Sequence, residues 1–347
     1  MVMSVKSKLQ EIANRYGEEM HANLAEEPEE VEVIPSGVLS LDSAMSIPLA
    51  TCNGKPVLGG YARGRLTEMY GAEAGGKTSL ALAHLAEVSR IGGTGIYIDV
   101  ENKASAYYFK RIFEEQEADP SNIEIVRPPH AEAVWEIVKN VGSEVDSIVI
   151  DSLADMITKA RLDADIGEQQ PGMLARVTQD GLKKSKIWET DCVLLLINQI
   201  REKIGGYSHY NQTTPGGHSR KHKAVMRIKI RRTGTEKEGS KEVGITVEAY
   251  IRKNQLGAPH GRAGFRLYWG RGVDKRGDLI GTALDVGLLI HTGNGYYYLP
   301  YDNAANMTEE NKLYKRENVR PTFDKHPEMY DQLEEKLAQL VQTGAID

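Results

Sequence analysis

The sequence predicts an α/β fold built on a mostly parallel central sheet, and three observations predict it. From about residue 65 onward, short apolar runs of strand character alternate with segments of helical period. One strand-to-helix junction, residues 71–78, reads Gly-Ala-Glu-Ala-Gly-Gly-Lys-Thr, a complete G-x-x-x-x-G-K-[ST] phosphate loop. Several of the strand-like runs close on a polar residue at their carboxyl end, the edge at which open α/β sheets bind ligands.

In chain order, Val5, Leu9, Ile12, Ala13 and Tyr16 fall on one helical face, so residues 4–19 read as a short amphipathic helix. A helix this short is marginal alone, so its apolar face must dock on its own core or on a neighbouring subunit. The acidic stretch 26–32 reads as a linker. Residues 65–70 are strand-like, and 77–91 carry Leu80, Leu82, Leu85 and Val88 at helical spacing. Strands are expected at 94–99, 123–126 and 145–151, and helices at about 130–141 and 172–187. The run 191–197 is almost unbroken apolar and reads as a central strand. Residues 205–218 are too polar and Gly-rich to order by themselves. Runs at 224–232, 243–252 and 264–269 read as antiparallel strands, connected by a turn at Thr233-Gly234 and a charged loop at 235–242. Past about Lys275 a helix at about 278–289, an aromatic hairpin candidate at 296–298 and a last helix at about 327–341 suggest a small α+β domain. There is no internal repeat.

At 347 residues the chain has length for one large domain and a small one. No apolar run approaches the ~20 residues of a membrane span, and the N-terminus has no apolar signal-peptide region, so no membrane partner is expected. Cys52 and Cys192 make neither a disulfide framework nor a metal cluster, and a cytoplasmic protein is the default reading. The net charge of −6 argues against a uniformly basic DNA binder, but the distribution is uneven. Residues 201–232 carry nine Lys or Arg against a single acid, Glu202. Such a stretch attracts a polyanion even on an acidic protein, or else forms a solvated basic face.

The phosphate loop sets the chemistry. Gly71, Gly75 and Gly76 let the backbone curl so that the N–H groups of the loop, with Ala72, Glu73, Ala74 and Ser79 around them, face phosphate oxygens. Lys77 is placed to neutralise the β- and γ-phosphates of ATP, and the Thr78 hydroxyl to hold Mg²⁺. An apolar strand ending in Asp151 supplies a second Mg²⁺-ordering group. Glu101, just past the strand at 94–99, is placed to orient an attacking water, or is a surface Glu balanced by Lys103. Gln199 ends the run at 191–197 and either senses the γ-phosphate or caps the strand. Four strand ends thus converge on one sheet edge.

These residues resemble the bacterial-type RecA recombinases. The stretch Ile34-Pro35-Ser36-Gly37-Val38-Leu39-Ser40-Leu41-Asp42 is similar to the opening of that family's core. GAEAGGKT is similar to its phosphate loop, and YIDVEN (97–102) to its strand bearing the catalytic Glu. LLLINQIREKIG (194–205), TTPGG (213–217), RIKIRR (227–232), KNQLGAP (253–259) and FRLYWGRGVDKRGDL (265–279) continue the resemblance in register. It implies a RecA-type P-loop ATPase core at 34–275, preceded by an N-terminal helix and linker for subunit packing at 1–33. A small C-terminal domain at 276–347 completes the chain. The implied activity is ATP hydrolysis by a helical filament that assembles on single-stranded DNA and pairs it with homologous duplex DNA.

Carried over residue by residue, the resemblance makes Glu101 the catalytic base and Gln199 the γ-phosphate sensor. Tyr108 stacks on adenine, with Trp269 of the adjacent subunit on its other side. Lys253 reaches the neighbour's ATP across the filament interface. DNA-binding loops fall near 163–176 and 201–222, with Arg176, Lys183, Arg201, Gly216, Gly217, Arg231 and Arg232 as contacts. Lys183 stands where the family has Arg, which keeps charge but loses bidentate geometry. Gln255 replaces a second bridging Lys, Ser105 an adenine-contacting Asp, and His222 an aromatic that couples subunits. A segment within 48–61 has no counterpart. Two other readings are a RecA-fold motor of another kind, such as a ring-forming helicase, and an ATP-binding regulatory assembly protein.

Overall fold

A computed structural model of the chain describes residues 5–16, 30–165, 172–202, 212–213, 223–291, 297–298 and 316–343. Residues 1–30 and 31–347 form two units. In the first, α1 (Val5–Tyr16) lies within the helix expected at 4–19, whose last positions fall outside the described residues.

The second unit opens on a strand where the sequence suggests a linker. Strand β1 (Val31–Ile34) takes the end of the acidic stretch. The reason is that Glu32 is a structural acceptor: its carboxylate takes hydrogen bonds from Thr51 Oγ1 at 2.7 Å and from the Asn53 amide. After α2 (Leu39–Met45), β2 (Ala50–Cys52) and β3 (Lys55–Pro56) form a hairpin turned by Asn53 and Gly54, both at positive φ. With β4 (Tyr61–Ala62) these strands make a small sheet of order β3-β2-β1-β4. The segment 48–61 is therefore this hairpin and its flanks.

The central sheet has nine strands. Five come from the alternating region: β5 (Leu66–Gly71), β6 (Gly95–Asp99), β7 (Ile123–Val126), β8 (Ser147–Asp151) and β9 (Val193–Gln199). A separate ribbon pairs β10 (Arg201–Glu202) with β11 (Gln212–Thr213). Then come β12 (Met226–Glu238), β13 (Lys241–Asn254), β14 (Arg262–Tyr268) and β15 (Gly272–Val273). The order is β15-β14-β13-β12-β5-β9-β8-β6-β7. Every pairing from β12 to β7 is parallel, and every pairing from β12 to β15 is antiparallel.

Parallel strands need crossovers, and helices α3 (Lys77–Arg90), α4 (Ala106–Glu115), α5 (Ala131–Val141), α6 (Lys159–Asp163) and α7 (Met173–Lys184) lie between them in the chain. Alternate residues of one strand feed opposite faces, so both faces are covered. Val149 and Leu195 join Leu80, Leu85 and Phe109 in one core; Ile148, Ile150, Leu194 and Leu196 join Trp135, Val138 and Leu182 in the other. The buried thiols Cys52 and Cys192 are free.

One turn lies elsewhere than the sequence suggests. Thr233-Gly234 does not reverse the chain; β12 runs through it with a register shift between Arg232 and Gly234. The β-branched Thr235 keeps pairing, opposite Ile245, and Glu236 accepts a hydrogen bond from Thr246 Oγ1 at 2.7 Å. The reversal comes after Glu238, where Gly239 takes φ +63°.

Toward the C-terminus, α8 (Lys275–Asp285) starts earlier than expected because the Asp274 side chain accepts from the Gly277 amide and caps it. Strands β16 (Ile290–His291) and β17 (Tyr297–Tyr298) pair, as the hairpin candidate suggests. Helix α9 (Arg316–Lys325) is not legible in the sequence, because Pro321 inside it reads as a helix breaker. Helix α10 (Glu328–Gln342) closes the described chain. A third apolar cluster forms here from Leu279, Val319, Phe323, Leu333 and Leu337, with Leu39 and Leu58 packed against it.

Candidate nucleotide site

The phosphate loop joins β5 to α3, and close packing demands its glycines. A Cβ on Gly71 would meet the Ile230 carbonyl oxygen at 2.1 Å. Gly76 sits at φ +94° and precedes the first turn of α3, where backbone N–H groups and the helix dipole favour an anion. Lys77 is buried, and its ammonium donates to the carbonyls of Ala72 at 2.6 Å and Gly71 at 3.2 Å. Burial holds its pKa below the usual ammonium range, while Asp151, Glu73 and Glu101 pull it upward.

Thr78 and Asp151 meet as the sequence suggests: Thr78 Oγ1 donates to Asp151 Oδ2 at 2.7 Å. Tyr97 OH donates to the same oxygen at 2.6 Å, a contact that sequence reasoning missed. Its signal was position, since Tyr97 alternates with Ile96 and Ile98 on the neighbouring strand. Burial pushes the Asp151 carboxyl upward, and the hydrogen bonds of Tyr97 and Thr78 with the charge of Lys77 pull it back. The Thr78 hydroxyl and Asp151 carboxylate are hard oxygen donors, the type Mg²⁺ takes, and Mg²⁺ usually completes its shell with phosphate and water oxygens.

Glu101 lies beyond β6, with its carboxylate paired to the exposed Lys103. Gln199 Nε2 donates to Glu101 Oε1 at 3.0 Å. Glu101 thus has two partners, Lys103 and Gln199. Burial raises its pKa, Lys103 opposes that, and Asp155 adds to it. Asp99 is structural: it accepts from the Lys103 and Ala104 amides and pairs with Arg127 at 3.0 Å. Next to Gln199 in the chain, buried Asn198 donates to Glu68 at 2.9 Å.

Thr78, Tyr97, Glu101, Lys103, Tyr108 and Asp151 line a cavity of 460 Å³, with Ser105 on the same rim. Tyr108 is partly exposed there. One sheet edge thus holds Lys77, Thr78, Glu101, Asp151 and Gln199.

The other expected residues lie apart. Lys253, on β13, is the register partner of Arg227 at the start of β12, toward the edge opposite the phosphate loop, and its ammonium donates to the Ala224 carbonyl. Trp269 follows β14 and is 52 % exposed. Gln255 is exposed on the loop after β13. Arg176 and Lys183 are exposed on α7. Arg231 is exposed and pairs with Glu248 at 3.0 Å, and Arg232 is exposed beside it. Arg201 begins β10, and Gly216, Gly217 and His222 lie outside the described residues, as do most of the two expected loops.

Residues 3–274 match the family model of the RecA N-terminal domain. The chain is 34 % identical to a protein RecA of Aquifex pyrophilus over 337 residues, 96 % of this chain and 90 % of that one. It is 33 % identical to one of Thermus aquaticus over 301 residues, covering 85 % and 84 %. A third, from Fusobacterium nucleatum, is 31 % identical over 349 residues, covering 99 % and 86 %.

Proposed function

This chain belongs to the RecA family, and from that premise we propose how its residues perform the family's work. It is a RecA recombinase and a DNA-dependent ATPase. No helix among the described residues is long and apolar enough to cross a membrane. The observation that carries the residue-level reading is the convergence of Lys77, Thr78, Asp151, Glu101 and Gln199 at one sheet edge.

In this reading the loop amides and Lys77 hold the β- and γ-phosphates of ATP. Thr78 and Asp151 would hold Mg²⁺, which would neutralise phosphate charge. Glu101 takes a proton from the attacking water, and its raised pKa makes it a stronger base than an ordinary carboxylate. Gln199 donates its amide to the γ-phosphate. Tyr108 carries the adenine, and Trp269 of the next copy covers it. Lys253 stands too far along the sheet to serve its own loop. It suits supply in trans, in the manner of an arginine finger, so that ATP favours assembly.

The DNA partners follow the same proposal. The filament forms on single-stranded DNA and pairs it with homologous duplex. Arg176, Lys183, Arg201, Arg231 and Arg232 contact phosphates, and Gly216 and Gly217 let backbone approach them. ATP hydrolysis measured with and without single-stranded DNA, across ~50 to ~200 mM salt, tests the scheme. It predicts stimulation by DNA that falls steeply with salt; a flat salt response contradicts the basic contacts.

A further inference from the structure

Two carboxylates face the Gln199 amide. Its Nε2 donates to Glu101 Oε1 at 3.0 Å and to Asp155 Oδ2 at 3.2 Å. Asp155 ends a single helical turn, Leu153–Asp155, that follows directly on the strand bearing Asp151. The Ser152 hydroxyl donates to the same Asp155 oxygen and stands 3.5 Å from Glu101 Oε1. Asp155 thus hydrogen-bonds with Gln199 directly and lies against the Glu101 carboxyl as well.

The donor count gives this arrangement a consequence. A side-chain amide has two N–H groups and a hydroxyl has one. With both amide protons engaged by carboxylates, neither is left for a phosphate oxygen. A γ-phosphate held by Lys77 offers acceptor oxygens of the same kind, so it must compete for Gln199. The charged groups around this triangle are Lys103 on Glu101, Asp151 at the end of β8, and Lys77 and Glu73 in the loop. Glu101 already has a cation in Lys103, whereas its bond to Gln199 is shared with Asp155.

We propose that Asp155 is a positioning residue for ATP hydrolysis, which competes with the γ-phosphate for the Gln199 amide and so sets how strongly the site prefers ATP over ADP. The proposal rests on the reading of Gln199 as the γ-phosphate sensor. Asp155 touches neither water nor nucleotide in this scheme. It restrains the sensor, and release of the sensor also frees the Glu101 oxygen that the amide holds. ADP lacks the γ-phosphate, so its binding is indifferent to Asp155.

The test compares binding of a non-hydrolysable ATP analogue and of ADP, by calorimetry on the full chain without DNA. The variants are Asp155→Ala, Asp155→Asn and Gln199→Ala. Asp155→Ala removes the competing acceptor and is expected to raise the ATP-over-ADP preference roughly tenfold, the scale of one charge-assisted hydrogen bond. Asp155→Asn keeps shape and a weaker acceptor, folds with minimal change, and is expected to give a smaller rise in the same direction. In a Gln199→Ala background the Asp155 effect is expected to vanish, because the shared partner is gone. A merely structural Asp155 would weaken both nucleotides together. If Gln199→Ala loses the preference for ATP while both Asp155 variants keep the parental preference, the inference is overturned and the sensor reading stands. If Gln199→Ala keeps the parental preference, the sensor reading itself fails.

Discussion

Glu68, fully buried in β5, accepts a hydrogen bond from Arg227 Nε at 2.6 Å, and Asn198 Nδ2 binds its other oxygen at 2.9 Å. One carboxylate therefore ties together the strand that launches the phosphate loop, the strand that ends in Gln199, and the first strand of the antiparallel half. Arg227 also stacks over the Tyr70 ring at 4.7 Å, which shields the pair from water. A buried charge left without its partner is costly, so Glu68→Ala is expected to destabilise the protein by about 3–5 kcal/mol. Urea unfolding checks this. A loss below about 1 kcal/mol would show that the pair contributes no more than a surface ion pair.

Glu101→Gln is expected to bind ATP but to turn it over at least about a hundredfold more slowly, because the amide cannot accept the water's proton. Filaments of this variant are expected to persist on DNA. Single-turnover hydrolysis and electron microscopy after ATP addition check both outcomes. Normal turnover would reject Glu101 as the base.

Asp278 links α8 to α2 by accepting from the Ser40 hydroxyl and the Ser40 amide. Burial raises its pKa to about 6, with the Ser40 bonds opposing. Its unfolded value is about 3.9, so the folded state prefers the protonated form. The stability it contributes is fully present below about pH 4 and is lost as pH rises through about 6. Asp278→Asn removes the charge penalty, on the order of 3 kcal/mol at pH 7. Its melting temperature is expected to exceed the parent's at pH 7.5 and to lose that advantage near pH 4. An equal difference at both pH values would contradict the burial effect.

Much of the site was legible because its chemistry is local in sequence. The phosphate loop is eight consecutive residues, and Asp151 and Gln199 close strands whose apolar runs mark them as central. The parallel half of the sheet was legible for the same reason. What escaped was set by partners far apart in the chain. Glu68 sits inside an apolar strand as a lone charge, and nothing local indicates that Arg227, 159 residues on, answers it. Asp155 follows Asp151 by four residues, and only the fold brings it to Gln199. Glu32 reads as part of an acidic linker until Thr51 supplies its hydrogen bond. Thr233-Gly234 reads as a turn because Gly is a common turn residue, whereas here it sits at a register shift inside a long strand.

The most direct test of the central claim is joint-molecule formation between a labelled single-stranded oligonucleotide and a homologous supercoiled plasmid. It is run with and without ATP, beside a heterologous plasmid and a Lys77→Ala control. ATP-dependent joints on the homologous plasmid alone, absent in the Lys77→Ala protein, are the predicted result. ATP hydrolysis stimulated by DNA with no joints on any plasmid would contradict it, and would place the chain's chemistry in a motor that does not exchange strands.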